Sequence, residues 1–393
     1  MSKLERLIQK YCPDGVGYKT LGEATIMKRG TSATKGIMQE GDIPVISGGR
    51  QPAFYCNVSN RTGEVITVAG SGAGAGYVQY WNEPIFVCDA FSIQGNETLK
   101  TKYVYYILTN IQEKIYSTKK GGGVPHVHIS SIDKFEIPVP PLPVQEEIVR
   151  ILDAFTELQA ELQAELQKRK QQYNYYLDNL LNFKNINRGG YQAEVRWMKM
   201  SEVFEIRNGY TPSKAKKEFW EGGTIPWFRM EDIRQNGRIL SDSILHITPK
   251  GVKGKGLFKA NSFILATTAT IGEHALIIAD SLANQRFTNL SIRKSLENEL
   301  SVKYVYYYFF VIDEWCKANT NVSNFASIDM SKFYNLLIPI PSIAEQQRIV
   351  AILDRFDTLT TDLTKGLPAE IEKRRQQYEY YRDKLLTFKR KGA

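Results

Sequence analysis

The chain has 393 residues, enough for two or three domains, and its 42% hydrophobic content gives each of them an ordinary capacity to bury a core. A formal net charge of +9 bears on partners rather than on fold, and favours an acidic partner such as nucleic acid. No run of about 18 apolar residues occurs, which excludes a membrane-spanning helix, and the charged opening Met1-Ser2-Lys3-Leu4-Glu5-Arg6 lacks the apolar stretch of an export signal, so the expected location is the cytoplasm.

Residues 1–143 form the first expected unit. Lys28-Arg29 and Arg50-Gln51 are early polar clusters. Val65-Ile-Thr-Val68, Tyr77-Val-Gln-Tyr80 and Ile85-Phe-Val-Cys88 are short β-type runs bounded by glycine-rich turns. Gly70-Ser-Gly-Ala-Gly-Ala-Gly76 can be forced onto a dinucleotide fingerprint with Asp89 as the acidic partner, but such a site needs a helix after the glycines, and Tyr77-Val-Gln-Tyr-Trp81 has strand character. A flexible or tightly turned loop is the better reading. Residues 102–116 have helical character, and Lys119-Lys-Gly-Gly-Gly-Val-Pro-His126 is a basic loop. His126 and His128 lack the Cys or carboxylate neighbours that a metal site requires, so they are expected as loop histidines.

Residues 144–184 follow a proline-rich strand end, Ile137-Pro-Val-Pro-Pro141. Ile148, Ile151, Phe155, Leu158, Leu162, Leu166, Tyr173, Tyr176 and Leu180 recur at spacings of three and four, the stripe of a coiled-coil-like helix about 60 Å long. Within it Glu157-Leu-Gln-Ala is repeated as Glu161-Leu-Gln-Ala and Glu165-Leu-Gln.

Residues 185–341 form the second unit, with the β-type run Phe263-Ile-Leu-Ala266 and a helix over 302–317. Its basic clusters are Lys214, Lys216 and Lys217, then Lys250-Gly-Val-Lys253-Gly-Lys255-Gly-Leu-Phe-Lys259. Arg229, Asn284, Gln285 and Arg286 add forked and amide side chains. Residues 342–393 repeat the helical stripe, interrupted at Gly366-Leu-Pro368, where a break is expected. The four cysteines, Cys12, Cys56, Cys88 and Cys316, are scattered and are expected as reduced thiols, most of them buried.

The organising feature is an internal repeat with a period near 200 residues. Arg169-Lys-Gln-Gln-Tyr-Asn-Tyr-Tyr-Leu-Asp-Asn-Leu-Leu-Asn-Phe183 and Arg374-Arg-Gln-Gln-Tyr-Glu-Tyr-Tyr-Arg-Asp-Lys-Leu-Leu-Thr-Phe388 agree at ten of fifteen positions. Ile148-Val-Arg-Ile-Leu-Asp-Ala-Phe155 returns as Ile349-Val-Ala-Ile-Leu-Asp-Arg-Phe356, and Lys102-Tyr-Val-Tyr-Tyr106 as Lys303-Tyr-Val-Tyr-Tyr307. The fold class this implies is α+β: two mixed, β-rich α/β units separated by long helices that pack antiparallel as a coiled coil, with an internal pseudo-twofold repeat.

Chemistry is nearly absent from the pattern. There is no phosphate loop, no methyltransferase motif (Asn82-Glu-Pro-Ile-Phe86 departs from it at two places) and no nuclease carboxylate set, since Pro13-Asp14 has no downstream partner. Basic loops remain. Lysines among glycines can approach phosphates closely, and base edges are read by Arg at guanine and by Asn or Gln at adenine. The candidate DNA-binding residues are therefore Lys28, Arg29, Arg50, Gln51, Lys119, Lys120, Lys214, Lys216, Lys217, Arg229, Lys250, Lys253, Lys255, Lys259, Gln285 and Arg286, and no catalytic, cofactor or metal residue is assigned.

The proline-rich strand ends, the helix starts Gln145-Glu-Glu-Ile-Val and Glu345-Gln-Gln-Arg-Ile-Val, the Tyr-Tyr-x-Asp-x-Leu-Leu tails, and the opening Leu4-Glu-Arg-Leu-Ile-Gln-Lys-Tyr-Cys-Pro-Asp-Gly15 with Tyr18-Lys-Thr-Leu-Gly22 resemble the specificity subunit of type I restriction–modification systems over essentially the whole chain. The resemblance implies two target recognition domains, residues 1–143 and 185–341, each reading half of a bipartite double-stranded DNA site. It implies that helices 144–184 and 342–393 set the gap between half-sites and dock two modification (methyltransferase) subunits. S-adenosylmethionine would sit on those subunits and ATP on further restriction and translocase subunits, with no cofactor on this chain. The family's base contacts differ with target, so no individual contact is carried over.

Overall fold

The segments that recur in the sequence form the frame of the fold. The computed structural model describes residues 2–32, 39–183, 195–254, 256–321, 326–362 and 364–392. The chain divides into two units, Met1–Glu165 with Ala369–Ala393, and Leu166–Pro368.

In the first unit the strand Val65–Ala69 is buried along its whole length, as a run of apolar β-formers flanked on both sides should be. It pairs antiparallel with Ala90–Gln94 and Val78–Trp81, and Ile26–Arg29 closes the edge beyond Ala90–Gln94. A smaller sheet joins Phe54–Cys56, Ile43–Ile46 and Phe86–Val87, the last two parallel. Gly17–Thr20 pairs with Glu136–Val139, whose proline-rich end runs into the helix Leu142–Leu181. The helical stretch near 102–116 is two helices, Thr101–Asn110 and Gln112–Tyr116, parted at Ile111, where ψ is 22°. Ile66, Val68, Ile93, Tyr103, Val104, Ile107, Val144, Ile148 and Leu152 share one core.

The second unit repeats this plan. Ser262–Ala266 is buried along its whole length and is flanked by Phe287–Ile292 and the equally buried His274–Ile277, with Phe204–Asn208 and the parallel Ile239–Leu240 at the edges. Ile225–Phe228 sits between His246–Ile247 and the parallel Leu282–Ala283. Arg196–Lys199 pairs with Leu337–Ile340, which leads to the helix Ile343–Thr361. The expected interruption is present: a second helix, Leu367–Leu386, starts after it, with Pro368 in the first turn, where a missing N–H costs nothing. Among the described residues no helix is long and apolar enough to cross a membrane.

The apolar stripes meet as the repeat foretells. In the first unit the Phe155 ring lies 5.6 Å from Tyr381 and 6.4 Å from Tyr378. In the second, Phe356, the counterpart of Phe155, lies 5.1 Å from Tyr176 and 6.4 Å from Tyr173. Each unit thus combines the first half of one repeat's helix with the tail of the other's. The pairing is antiparallel: Ile151 and Phe155 share a cleft with Leu385 and Tyr381.

The recurring spacing has a polar cause. Gln145 is fully buried; its Nε2 donates to the carbonyls of Pro140 (2.7 Å) and Thr98 (2.9 Å), and its Oε1 accepts from the Lys100 N–H (2.9 Å). Gln346 makes the same three bonds, to Pro341 and Glu299 (2.8 Å each) and from Ser301 (2.8 Å). The Tyr103 hydroxyl donates to Pro138 and that of Tyr304 to Pro339. Tyr106 donates to Asp153 and Tyr307 to Asp354, each carboxylate also paired with a lysine, Lys102 at 2.9 Å or Lys303 at 2.8 Å. Buried polar atoms must find partners, so these residues recur together.

Candidate nucleic-acid interface

Gln145 ties down the end of the first sheet near Thr98 and Lys100. At the other end of the strands, loops converge. Gly30 N–H donates to Ala90 (2.9 Å) and Thr31 to Val87 (3.0 Å); Cys88 donates to Ile46 (2.8 Å), Gly70 to Asp89 (3.1 Å) and Val127 to Gly70 (2.9 Å). A Cβ on Gly74 would stand 2.4 Å from the Gly48 carbonyl oxygen, and one on Gly48 2.3 Å from that of Ser71. The glycine run is therefore a close crossing of loops, and the strand Val78–Trp81 comes after it, which leaves no helix N-terminus for a pyrophosphate.

These loops present Arg29, Arg50, Gln51, Asp89, Lys120 and His128 as exposed side chains. Arg50 lies over the Tyr77 ring at 5.0 Å and Lys119 over Tyr116 at 4.1 Å; burial pushes the Tyr116 hydroxyl up from its ordinary value. Asp89 accepts the Ser71 hydroxyl. His126 exchanges backbone hydrogen bonds with Lys120 at 2.8 and 3.0 Å, closing the base of the basic loop, and its ring stacks on His128 at 5.9 Å. Lys28 is exposed on the edge strand beside Arg29. Among the described residues no group of three or more His, Cys, Asp or Glu could hold a metal ion.

The second unit carries the same junction. Gly209 donates to Phe287 (2.8 Å), Tyr210 to Ala283 (2.9 Å), Asn284 to Phe228 (3.0 Å), Thr267 to Arg286 (3.0 Å) and Ile328 to Thr267 (3.2 Å). These bonds equate Gly30 with Gly209, Ile46 with Phe228, Cys88 with Asn284, Asp89 with Arg286, Gly70 with Thr267 and Val127 with Ile328. Gln285 is the extra residue. Arg229 follows Phe228 as Ser47 follows Ile46; its N–H donates to Asp232 at 2.6 Å, and its Nε is buried without a hydrogen-bond partner. Gln285 accepts the Thr211 hydroxyl, and the Arg286 N–H donates to Asn284 at 2.9 Å.

The candidate lysines of this unit divide. Lys214, Lys216 and Lys217 occupy the segment after Tyr210, with Lys216 5.2 Å from the Phe219 ring and Lys217 3.5 Å from Glu221. Lys250 pairs with Glu218 at 3.2 Å, and the Lys253 N–H donates to the Tyr210 hydroxyl at 2.6 Å, which holds both near the junction. Lys255 lies outside the described residues. Lys259 is not brought there. It precedes Ser262–Ala266, at the opposite end of that strand from Thr267, and pairs with Asp280 at 2.7 Å, holding that carboxyl below its usual range.

Arg50 and Gln51 in one unit and Arg229 in the other thus follow equivalent strands, while Arg29 stands beside Gly30, and Gln285 and Arg286 occupy the loop that holds Asp89 in the first unit. Ser71 and Asp89 share that place and carry no sequence signal for it, because only strand register aligns them. The arrangement offers hydrogen-bond donors and acceptors on a sheet end, ringed by lysines.

Comparison with known proteins gives the same answer. The family described as "Type I restriction modification DNA specificity domain" matches residues 13–171 and again 192–373. The chain is 36% identical to the Escherichia coli EcoR124I/EcoR124II specificity subunit over 99% of this chain and 97% of that one. It is 54% identical to the Escherichia coli EcoprrI specificity subunit, over 50% of this chain and about half of that protein's length. A solved type I S subunit from M. genitalium shares the fold with a TM-score of 0.57 at 18% identity, covering 94% of this chain and 95% of that one. A chain from a study of assembly and conformational transition in the type I R-M system does so at 0.61 and 18%, covering 95% and 98%. With two specificity domains on a shared helical frame, the chain belongs to the specificity subunits of type I restriction–modification systems, which recognise DNA and are not themselves catalytic.

Proposed function

We propose that residues 1–143 and 185–341 are target recognition domains, each reading one half of an asymmetric bipartite site in double-stranded DNA, and that helices 144–184 and 342–393 are the spacer and the docking surface for two modification subunits. The observation that carries this reading is the pair of equivalent loop junctions: the hydrogen bonds that hold the loops are backbone bonds common to both units, whereas the exposed side chains differ. A shared scaffold with different reading groups suits two different half-sites. Arg29, Arg50, Gln51, Arg229, Gln285 and Arg286 would face bases. Lys28, Lys119, Lys120, Lys214, Lys216, Lys217, Lys250 and Lys253 would face phosphates, which position a protein without specifying sequence; Lys259, at the far strand end, could serve only the periphery. S-adenosylmethionine and ATP belong to the partner subunits in this reading.

The test is a map of N6-methyladenine in cells that carry the modification subunit, with and without this chain. Two short half-sites around a fixed unspecified gap, present only with the chain, support the proposal. An expressed modification subunit and no chain-dependent motif would refute it.

A further inference from the structure

We infer that Asp89 and Arg286 are paired specificity residues of opposite sign, Asp89 selecting a base that offers an exocyclic amino group (cytosine or adenine) and Arg286 selecting guanine, at corresponding positions of the two half-sites. The inference rests on the proposed reading of the loop junctions as the DNA-facing ends of the two units. Both residues sit one place before a paired strand residue, Ala90 opposite Ala69 and Phe287 opposite Ala266. Both give their carbonyl to the same bond, from Gly70 at 3.1 Å and from Thr267 at 3.0 Å. The fold therefore uses the main chain at this position and leaves the side chain free to vary. Both side chains are exposed, and they differ as much as two side chains can, an acceptor-only carboxylate against a donor-only guanidinium.

The surroundings of Asp89 suit an acceptor presented to DNA. The Ser71 hydroxyl donates to one carboxylate oxygen, which orients the group while leaving most of its acceptor sites open. Arg29, His126 and His128 line the same cleft, so cationic and donor groups accompany the carboxylate towards a polyanion. In the major groove a carboxylate accepts from an amino group, and Arg forks onto the two acceptors of guanine. Loss of such a contact removes about 5- to 150-fold of discrimination at one base pair.

The experiment uses the full chain assembled with its modification subunit and a DNA library randomised at every position of the wild-type site, with methylated molecules sequenced. Asp89→Asn keeps the shape but lets the group donate as well as accept. It is expected to relax one position of one half-site while the other half-site, an internal control for folding, is unchanged. Arg286→Gln is expected to lose guanine preference at one position of the other half-site. Asp89→Glu, which retains an acceptor, should keep the amino-base preference, and Asp89→Arg should convert it towards guanine. Unchanged preferences in Asp89→Asn and Arg286→Gln would overturn the inference while leaving the two-headed reading standing. So would equal disturbance by Asp89→Glu and Asp89→Asn, which marks a position that matters only for loop shape. A wild-type complex that selects no bipartite motif would overturn the two-headed reading itself, and this inference with it.

Discussion

Gln145 and Gln346 show how one buried side chain can hold a helix start to a sheet. Each bonds two carbonyls and one N–H, one of the carbonyls on a proline that follows the strand. Gln346→Leu keeps the volume but strands the Ser301 N–H and the Glu299 and Pro341 carbonyls. It should cost about 2–4 kcal/mol, read as a lower urea midpoint, and a change under about 0.5 kcal/mol would mean water replaces the amide. Glu147 is a second buried anchor. Arg150 holds it at 2.7 Å and Lys3 at 2.7 Å, and these partners, Arg150 foremost, push its carboxyl down to about 2 against burial that opposes them. A depressed carboxyl stabilises the fold above its unfolded value of 4.5, and that contribution is lost as pH falls from there towards 2. Glu147→Gln should therefore be less stable than wild type at pH 7, with the gap narrowing as pH falls from 4.5 towards 2. A gap independent of pH in that window would show that packing, not charge, is what the substitution removes.

At the scale of elements, the parts legible in the sequence are those whose side chains serve the frame. The long helix, expected over 144–184, runs Leu142–Leu181, and the interrupted copy breaks between Thr361 and Leu367. Periodicity works there because the stripe is continuous and one face is covered. The loop junctions are legible only by residue type. Arg229, Gln285 and Arg286 stand out as forked or amide groups, but Asp89 reads in the sequence only as a poor dinucleotide partner. Its counterpart in the second unit is offset by a one-residue insertion, so no sequence period brings them together. Buried chemistry that replaces packing is silent too. Val78 N–H donates to Gln112 in the first unit, whereas in the second His274, whose protonation burial disfavours, contacts Asp313 at 2.7 Å beside Arg238. The helix break itself carries a prediction. Asp362 accepts from the N–H groups of Thr364 and Lys365, and Gly366 donates to its carbonyl at 3.1 Å. A Cβ on Gly366 would stand 2.4 Å from the Thr358 carbonyl oxygen. Gly366→Ala should thus lower the melting temperature by several degrees despite alanine's better helix propensity. A raised melting temperature would mean that the first helix can simply extend across the break.

At the scale of the whole molecule, the helix Leu142–Leu181 has its buried residues at its ends, Val144, Ile148 and Leu152 in the first core and Leu181 in the second. Between Asp153 and Leu180 none is fully buried, and the boundary between the units falls at Glu165, inside the Glu-Leu-Gln-Ala repeat. The repeat itself, residues 157–167, contributes no side chain to either core, so a four-residue deletion there removes no core residue. Removing Glu161-Leu-Gln-Ala164 deletes about 6 Å of helix and rotates the C-terminal part of the helix by about 40° beyond a full turn. At about 3.4 Å per base pair, a 6 Å deletion corresponds to roughly one or two base pairs. If the helix is the ruler between half-sites, the deleted protein, assembled with its modification subunit, should methylate a site with the same two half-sites and a gap shorter by that amount. Altered half-sites around a constant gap would sink the ruler, because the heads would then depend on the helix for their reading surfaces while some other element set their spacing.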